Sequence, residues 1–211
     1  MLLDGILYYN TALFYMINVG MDNSVFDFIM PIITNFGNLF AWSLVCGMIF
    51  IFGGEKGKKV ALLGFAALFL SAVVVIILKY VVAEPRPVLV LSNVDLLTIE
   101  NDYSFPSGHV AASFAGAVII GKKYNFKFKG KKLKLIYPLL TFAAIVGFSR
   151  VYIGVHYPLD VVFGAIVGMI SALIVLKLEY KIFLNKISNY IGLQKILRLN
   201  ITEKLKNIIL N

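Results

Sequence analysis

Four apolar runs decide what this chain can fold into. Phe28 to Phe52, Val60 to Leu78, Leu135 to Val151 and Leu159 to Leu176 carry only two charged residues between them, Arg150 and Asp160. A helix crosses a bilayer core with about 20 mostly apolar residues. Backbone polar groups in lipid must be satisfied within the segment, which selects helices for runs of this kind. A fifth helix is expected from about Ser107 to Gly121. The fold class that follows is all-α: a polytopic membrane helical bundle of five to six helices crossing or lying in the membrane. Composition agrees, with 60% hydrophobic and only 15% charged residues, against about 25% charged in soluble domains. A length of 211 residues suits one such domain over 1–211.

The flanks are less apolar. Residues 1–23 mix Leu, Ile, Tyr and Phe with Asp4, Asn10, Asn18 and Asp22, and their apolar part is short for a span. An interfacial amphipathic helix is expected there, with a short sixth span as the alternative. The start Met1-Leu2-Leu3-Asp4 lacks the basic stretch of a cleaved signal peptide. The tail from Lys177 to Asn211 reads as an amphipathic segment on the membrane surface. Residues 53–59 read as a polar turn, 79–106 as an irregular loop and 122–134 as a seven-lysine connection.

The formal net charge of +9 does not indicate nucleic acid as a partner, because the lysines sit at the ends of the apolar segments. The turn at 54–59, the connection at 122–134 and the tail hold 17 of the 20 basic residues, and alternate crossings put all three on one side. Lys and Arg enrichment marks the cytoplasmic side. The C-terminus is therefore expected in the cytoplasm. Lys79, Arg86 and Arg150, the remaining three, fall on the extracytoplasmic face. Cys46 is the sole cysteine, which excludes an intrachain disulfide and a cysteine metal site.

Ionisable groups in a chain this apolar mark a functional site by default, and they occur in three pieces. The first is Lys79-(x)6-Arg86-Pro87, in which Pro85 and Pro87 restrict the backbone on both sides of Arg86. Arg recognises phosphate oxygens in a planar fork and Lys acts as a point charge; interfacial snorkelling would explain either alone. The second is Pro106-Ser107-Gly108-His109, opening a helix whose free N–H groups form an anion site. A capped helix with a polar His at the water boundary is its plainer reading. The third is Ser149-Arg150-(x)5-His156-(x)3-Asp160, with Pro158 placed in the first turn of the last helix. There Asp160 can orient the His156 imidazole and leave its other nitrogen free to attack. A His–Asp bond that merely caps the helix is the alternative.

In order, these three pieces resemble the motifs of the type 2 phosphatidic acid phosphatase (PAP2) superfamily of membrane phosphatases. The match runs by motif from residue 79 to 160, with no motif residue departing from the pattern; the N-terminal region and tail match only in general character. The resemblance implies a PAP2-like bundle and a metal-independent hydrolase of a lipid phosphate. It implies that His156 forms a phosphohistidine while Asp160 orients it, and that His109 protonates the leaving oxygen and then activates water. Lys79, Arg86, Ser107, the Gly108 amide and Arg150 would hold the phosphoryl oxygens. No cofactor and no metal are implied, and no Asp, Glu and His occur at metal-ligand spacing.

The helix from Ser107 to Gly121 would be about 22 Å long at 1.5 Å per residue, shorter than a hydrocarbon core of about 30 Å. With Lys122 and Lys123 at the cytoplasmic boundary, His109 would be recessed from the outer surface. Ala111, Ala112, Ala115 and Gly116, with Gly164-(x)3-Gly168, would let helices pack closely. Within the superfamily the chain most resembles the polyprenyl diphosphate phosphatases, and that resemblance implies a polyprenyl diphosphate of the undecaprenyl type as substrate. Phosphatidylglycerophosphate and phosphatidic acid are close competitors, because the motifs address only the shared phosphate. Transfer to another acceptor uses the same chemistry. An anion transporter is the reading outside enzymology, but it calls for charged residues at several depths.

Overall fold

The computed structural model describes residues 2–128 and 131–179. The helices are α1 (Leu2–Asn18), α2 (Ser24–Asn35), α3 (Leu39–Phe52), α4 (Gly54–Val82), α5 (Pro87–Val90), α6 (Gly108–Lys123), α7 (Ile136–Tyr152) and α8 (Pro158–Leu178). The expected tail lies almost wholly outside the described residues.

α6 is the axis of the bundle, packed by α3, α4, α7 and α8. Its residues from Val110 to Ala112 and from Ala115 to Gly121 are buried, and most are small. Small residues let backbones approach closely, and here they do. A Cβ on Gly164 of α8 would lie 2.6 Å from the Ser107 carbonyl oxygen, and one on Gly168 would meet the Ala111 carbonyl oxygen. One on Gly116 would run into the Trp42 ring of α3. Trp42 itself donates through Nε1 to Ser113 Oγ at 3.2 Å, tying α3 to α6.

α4 and α8 are each long and apolar enough to cross a membrane. The expected single span from Phe28 to Phe52 is instead two helices, α2 and α3, bent by 54°. The reason lies in the polar break Asn35-Phe36-Gly37-Asn38. Gly37 N–H donates back to the Thr34 carbonyl at 2.9 Å. Asn38 then caps α3, its Oδ1 accepting from Ala41 N–H at 2.7 Å. Ser113 Oγ donates to the Gly37 carbonyl at 3.0 Å, so the break is held by α6.

Three further expectations are corrected. The polar turn at 53–59 is mostly helix: α4 starts at Gly54, and Glu55 pairs with Lys59 one turn on at 2.7 Å. The lysine-rich connection contains a hairpin, Asn125–Phe128 against Lys131–Lys134. The irregular loop at 79–106 begins later, because α4 runs to Val82 and stops at left-handed Ala83 (φ 49°), and it holds the short helix α5.

α1 packs on the end of the bundle that carries the motifs. Asn10 Oδ1 accepts from Leu159 N–H at 3.0 Å, and Asn18 Nδ2 donates to the Asp95 and Tyr152 carbonyls at 2.7 Å each. Phe14 is buried with Val151 and Tyr157.

Candidate active site

All three motif pieces meet at one end of the bundle. α4 delivers Lys79 in its last turn, α6 begins with Gly108 and His109, α7 ends with Arg150, and α8 begins at Pro158 and carries Asp160 in its first turn. Pro158 occupies the expected start position. Arg86 is the residue before α5, with Pro87 opening that helix. Lys56, Lys58, Lys59, Lys122, Lys123 and Lys177 lie at the opposite ends of the same helices.

A cavity of about 490 Å³ opens at this end, lined by Lys79, Gly108, His109 and His156 and by Glu100, Asn101 and Asp102. Arg86, Ser107, Arg150 and Asp160 are buried in the surrounding wall. The eight residues singled out in the sequence are thus brought to one place, four on the cavity surface and four behind it.

His156 is fully enclosed, 1% exposed. Its Nδ1 lies 3.2 Å from Asp160 Oδ2. That oxygen also accepts from Ser104 Oγ at 2.6 Å and from the Tyr157 backbone N–H at 2.8 Å. A carboxylate held at this many points fixes the imidazole as the Nδ1–H tautomer, which leaves Nε2 unprotonated. Burial, then the nearby Arg150 and Arg86, push the His156 pKa well below its ordinary value. A neutral imidazole is the form a nucleophile needs.

Ser104 is a component that sequence reasoning missed. It is wholly buried and lies 3.4 Å from His156 Nδ1 as well as bonding Asp160. Its backbone N–H donates to the Glu84 carbonyl at 2.8 Å. Glu84 was missed too: burial, then the Asp160 carboxylate and a hydrogen bond to it, raise its pKa to about 7. Asp160 Oδ1 has no hydrogen-bond partner among the described residues.

Ser107 stands at the start of α6, where a helix-start residue was expected. It precedes α6 in the capping position, yet its hydroxyl makes no capping bond; among the described residues Oγ is buried without a partner, and so is Arg150 Nε. Buried polar atoms are nearly always hydrogen-bonded. Two such orphans beside a cationic cavity suit an anion that supplies the missing partner.

The cations are held by a second group of residues absent from the sequence expectations. Glu100 lies between Arg86 (Nη2 to Oε2, 2.7 Å) and Arg150, whose Nη1 donates to Thr34 Oγ1 at 3.0 Å. Asp102 pairs with Arg86 and, at 3.1 Å, with Lys79. Burial alone would raise the Glu100 carboxyl, but Arg150 and Arg86 outweigh it and hold the pKa at about 2. Asp102 is likewise lowered against its burial, by Arg86 and Lys79. The only sequence signal was an acidic pair in an otherwise featureless loop.

A motif set can recur by chance, but a matched family pattern over most of the chain does not. The PAP2 superfamily pattern matches residues 60–183. The chain belongs to the PAP2 superfamily. As a PAP2 protein it is a membrane enzyme that hydrolyses phosphate esters. Undecaprenyl-diphosphatase BcrC of Bacillus subtilis (strain 168) is 31% identical over 148 residues, 70% of this chain and 72% of that protein. An undecaprenyl-diphosphatase of Sulfolobus acidocaldarius is 32% identical over 165 residues, 76% of this chain and 73% of the other. Among solved structures, Aquifex aeolicus LpxE superposes with a TM-score of 0.68 at 34% identity, over 80% of this chain and 95% of that one. A Bacillus subtilis phosphatidylglycerolphosphate phosphatase shares the fold, with a TM-score of 0.65 at 23% identity over 85% and 88%.

Away from the PAP2 site, Asp22, Asp27 and Asp95 place carboxylate oxygens within 4.8 Å of one another. The sequence spacing did not reveal this trio, since the loop after α5 brings Asp95 to the start of α2. Tyr152 Oη donates to Asp27 at 2.6 Å.

Proposed function

We propose that this PAP2 enzyme removes the terminal phosphate of a polyprenyl diphosphate at the extracytoplasmic face of the membrane. The observation that carries the reading is a continuity between polar and apolar space. The cationic cavity shares Lys79, Asp102, Gly108 and His109 with a groove of about 380 Å³, whose other walls include Leu39, Phe40, Val75, Ile76, Ala111 and Ala112. A phosphate held at the histidines would leave its hydrocarbon chain in that groove. The groove's residues Asn38 and Phe40 also line a larger apolar space of about 730 Å³ beside Trp42, Met48 and Phe142. A long chain has room to continue there. The undecaprenyl-diphosphatases among the relatives favour the polyprenyl substrate over phosphatidic acid or phosphatidylglycerophosphate.

The chemistry follows from the residues in their places. His156 Nε2 attacks phosphorus, and its bond to phosphorus forms as the bond to the bridging oxygen breaks. His109, at the mouth of α6, gives its proton to that oxygen, which leaves as the polyprenyl phosphate. His109 then takes a proton from water; the water oxygen bonds to phosphorus, the P–N bond breaks, and inorganic phosphate leaves. Lys79, Arg86, Arg150, Ser107 Oγ and the Gly108 N–H stabilise the charge gathering on the equatorial oxygens. Asp160 compensates the positive charge that grows on His156.

The lysine-rich opposite end supports the outward orientation of the site and a cytoplasmic C-terminus. The test is phosphate release by the purified protein from a polyprenyl diphosphate, phosphatidic acid and phosphatidylglycerophosphate, each with EDTA and with a His156→Ala control. Preference for the diphosphate, unaffected by EDTA and absent in the variant, is expected. Activity that survives His156→Ala or disappears with EDTA rules out the mechanism. Orientation is read by labelling Asn101→Cys in a Cys46→Ala background with an impermeant thiol reagent on intact cells, where labelling is expected.

A further inference from the structure

The cations assigned to the phosphate are already occupied, and the carboxylates occupying them come from one short segment. Each guanidinium nitrogen of Arg86 is engaged: Nε with the Asp102 carbonyl at 2.8 Å, Nη1 with the Val155 carbonyl at 2.8 Å, and Nη2 with the Glu100 and Asp102 carboxylates. Arg150 gives Nη2 to Glu100. Lys79 gives Nζ to the Tyr103 carbonyl and to Asp102.

A guanidinium grips a phosphate through the same N–H edges that it offers a carboxylate. A phosphoryl group that reaches Nη2 of both arginines must take the place held by Glu100, and one that reaches Lys79 must take that of Asp102. Two carboxylates carry two negative charges, and so, nearly, does a terminal phosphate at neutral pH. Exchanging one for the other keeps the charge of a largely buried site balanced, where an unpaired charge is costly.

We propose that Glu100 and Asp102 are an internal competitor for the phosphate, filling the cationic cradle in the free enzyme and yielding it to a dianionic phosphate group. This rests on the reading that the cradle binds phosphate. The exchange needs side-chain rotation only. Backbone bonds from Arg86 and Lys79 to residues 102 and 103, and from Ser104 N–H to the Glu84 carbonyl, hold the segment in place. Both carboxylates line the cavity and have solvent to turn into, with the Asp102 side chain 58% and the Glu100 side chain 24% exposed. The device also selects. A phosphodiester carries one charge, cannot replace two carboxylates evenly, and leaves a cation unpaired.

The experiment compares full-length wild type, Glu100→Gln, Asp102→Asn and the double variant in detergent, with inorganic phosphate as the probe near neutral pH. Thermal melting against phosphate concentration gives half-saturation without requiring activity. The double variant is expected to half-saturate at about tenfold lower phosphate, with the single variants between, as the loss of a competing charge pair predicts. It should melt below wild type without phosphate and recover with it, and KM for the lipid should fall while kcat changes less. Half-saturation that is unchanged or higher in the double variant overturns the proposal, as does a loss of melting temperature that phosphate fails to restore. Wild type that releases no phosphate from any lipid would defeat the assigned activity alone, leaving the melting comparison to decide the competition.

Discussion

Nη1 of Arg86 lies 3.5 Å from Nε2 of His156. The first motif's guanidinium thus sits against the one imidazole nitrogen that Asp160 does not engage. Any phosphorus within reach of Nε2 is also beside a fixed positive charge, so in the proposed mechanism attack and charge stabilisation come from adjoining atoms. Arg86→Lys keeps the charge but loses the fork. We expect kcat to fall by about 10²–10³, the loss seen when one preorganised donor is removed, with protein yield preserved. Steady-state kinetics on the preferred lipid check this; activity within about threefold of wild type would remove Arg86 from the transition state.

Ser104 supports His156 at one remove. Its bond to a buried carboxylate is worth about 1.5–3 kcal/mol. Ser104→Ala should therefore lower kcat by roughly tenfold or more with little change in KM, since the hydroxyl faces Asp160 and not the substrate. Ser104→Thr keeps the hydroxyl and should recover part of the loss. An unchanged kcat in Ser104→Ala would leave the bond structural.

His109 is assigned to the leaving oxygen, so its loss should depend on the leaving group. His109→Gln is expected to reduce lipid hydrolysis by about 10²–10⁴. With a nitrophenyl phosphate, whose leaving oxygen needs no proton, formation of the phosphohistidine should be far less affected. Single-turnover measurements on both substrates decide it, and equal losses on the two would reject the acid role.

The Glu84–Asp160 pair predicts a pH-dependent stability. Glu84 has its folded pKa raised from 4.5 to about 7, first by burial and then by Asp160. Between those values the folded state binds more protons than the unfolded one, so stability from this group declines as pH rises and the loss is complete above about 7. Glu84→Gln removes that decline. Its melting temperature relative to wild type should climb from pH 5 to pH 8; a flat difference would uncouple the two carboxyls.

Close packing of α8 on α6 gives a prediction away from the chemistry. Gly168→Leu forces a side chain into the Ala111 carbonyl region and should cost about 1–3 kcal/mol or more. Thermal unfolding in detergent should show it, and because α6 carries His109, activity should fall before the fold is lost.

Much of the site was legible because its residue types are conspicuous in hydrocarbon. Lys79, Arg86, His109, Arg150, His156 and Asp160 stand out by being ionisable, and helix-start residues at 107–108 and 158 gave their local setting. The break at 35–38 was visible as polar residues within an apolar run, but an unbroken crossing was the simpler expectation. What closed the break was Ser113 on another helix, which no local pattern exposes.

The sequence by itself determined a mainly helical membrane protein, the end of the bundle where the charges gather, and the pairing of His156 with Asp160. Those conclusions depend on residue type and short spacing, which survive in one dimension. Only the tertiary structure decided that Glu100 and Asp102 neutralise the cations, that Ser104 holds Asp160, and that an apolar groove leads away from His109. Glu100 lies 14 residues from Arg86 and 50 from Arg150 in the chain. A loop with no periodicity carries no signal of where its side chains end; packing alone brings those charges together.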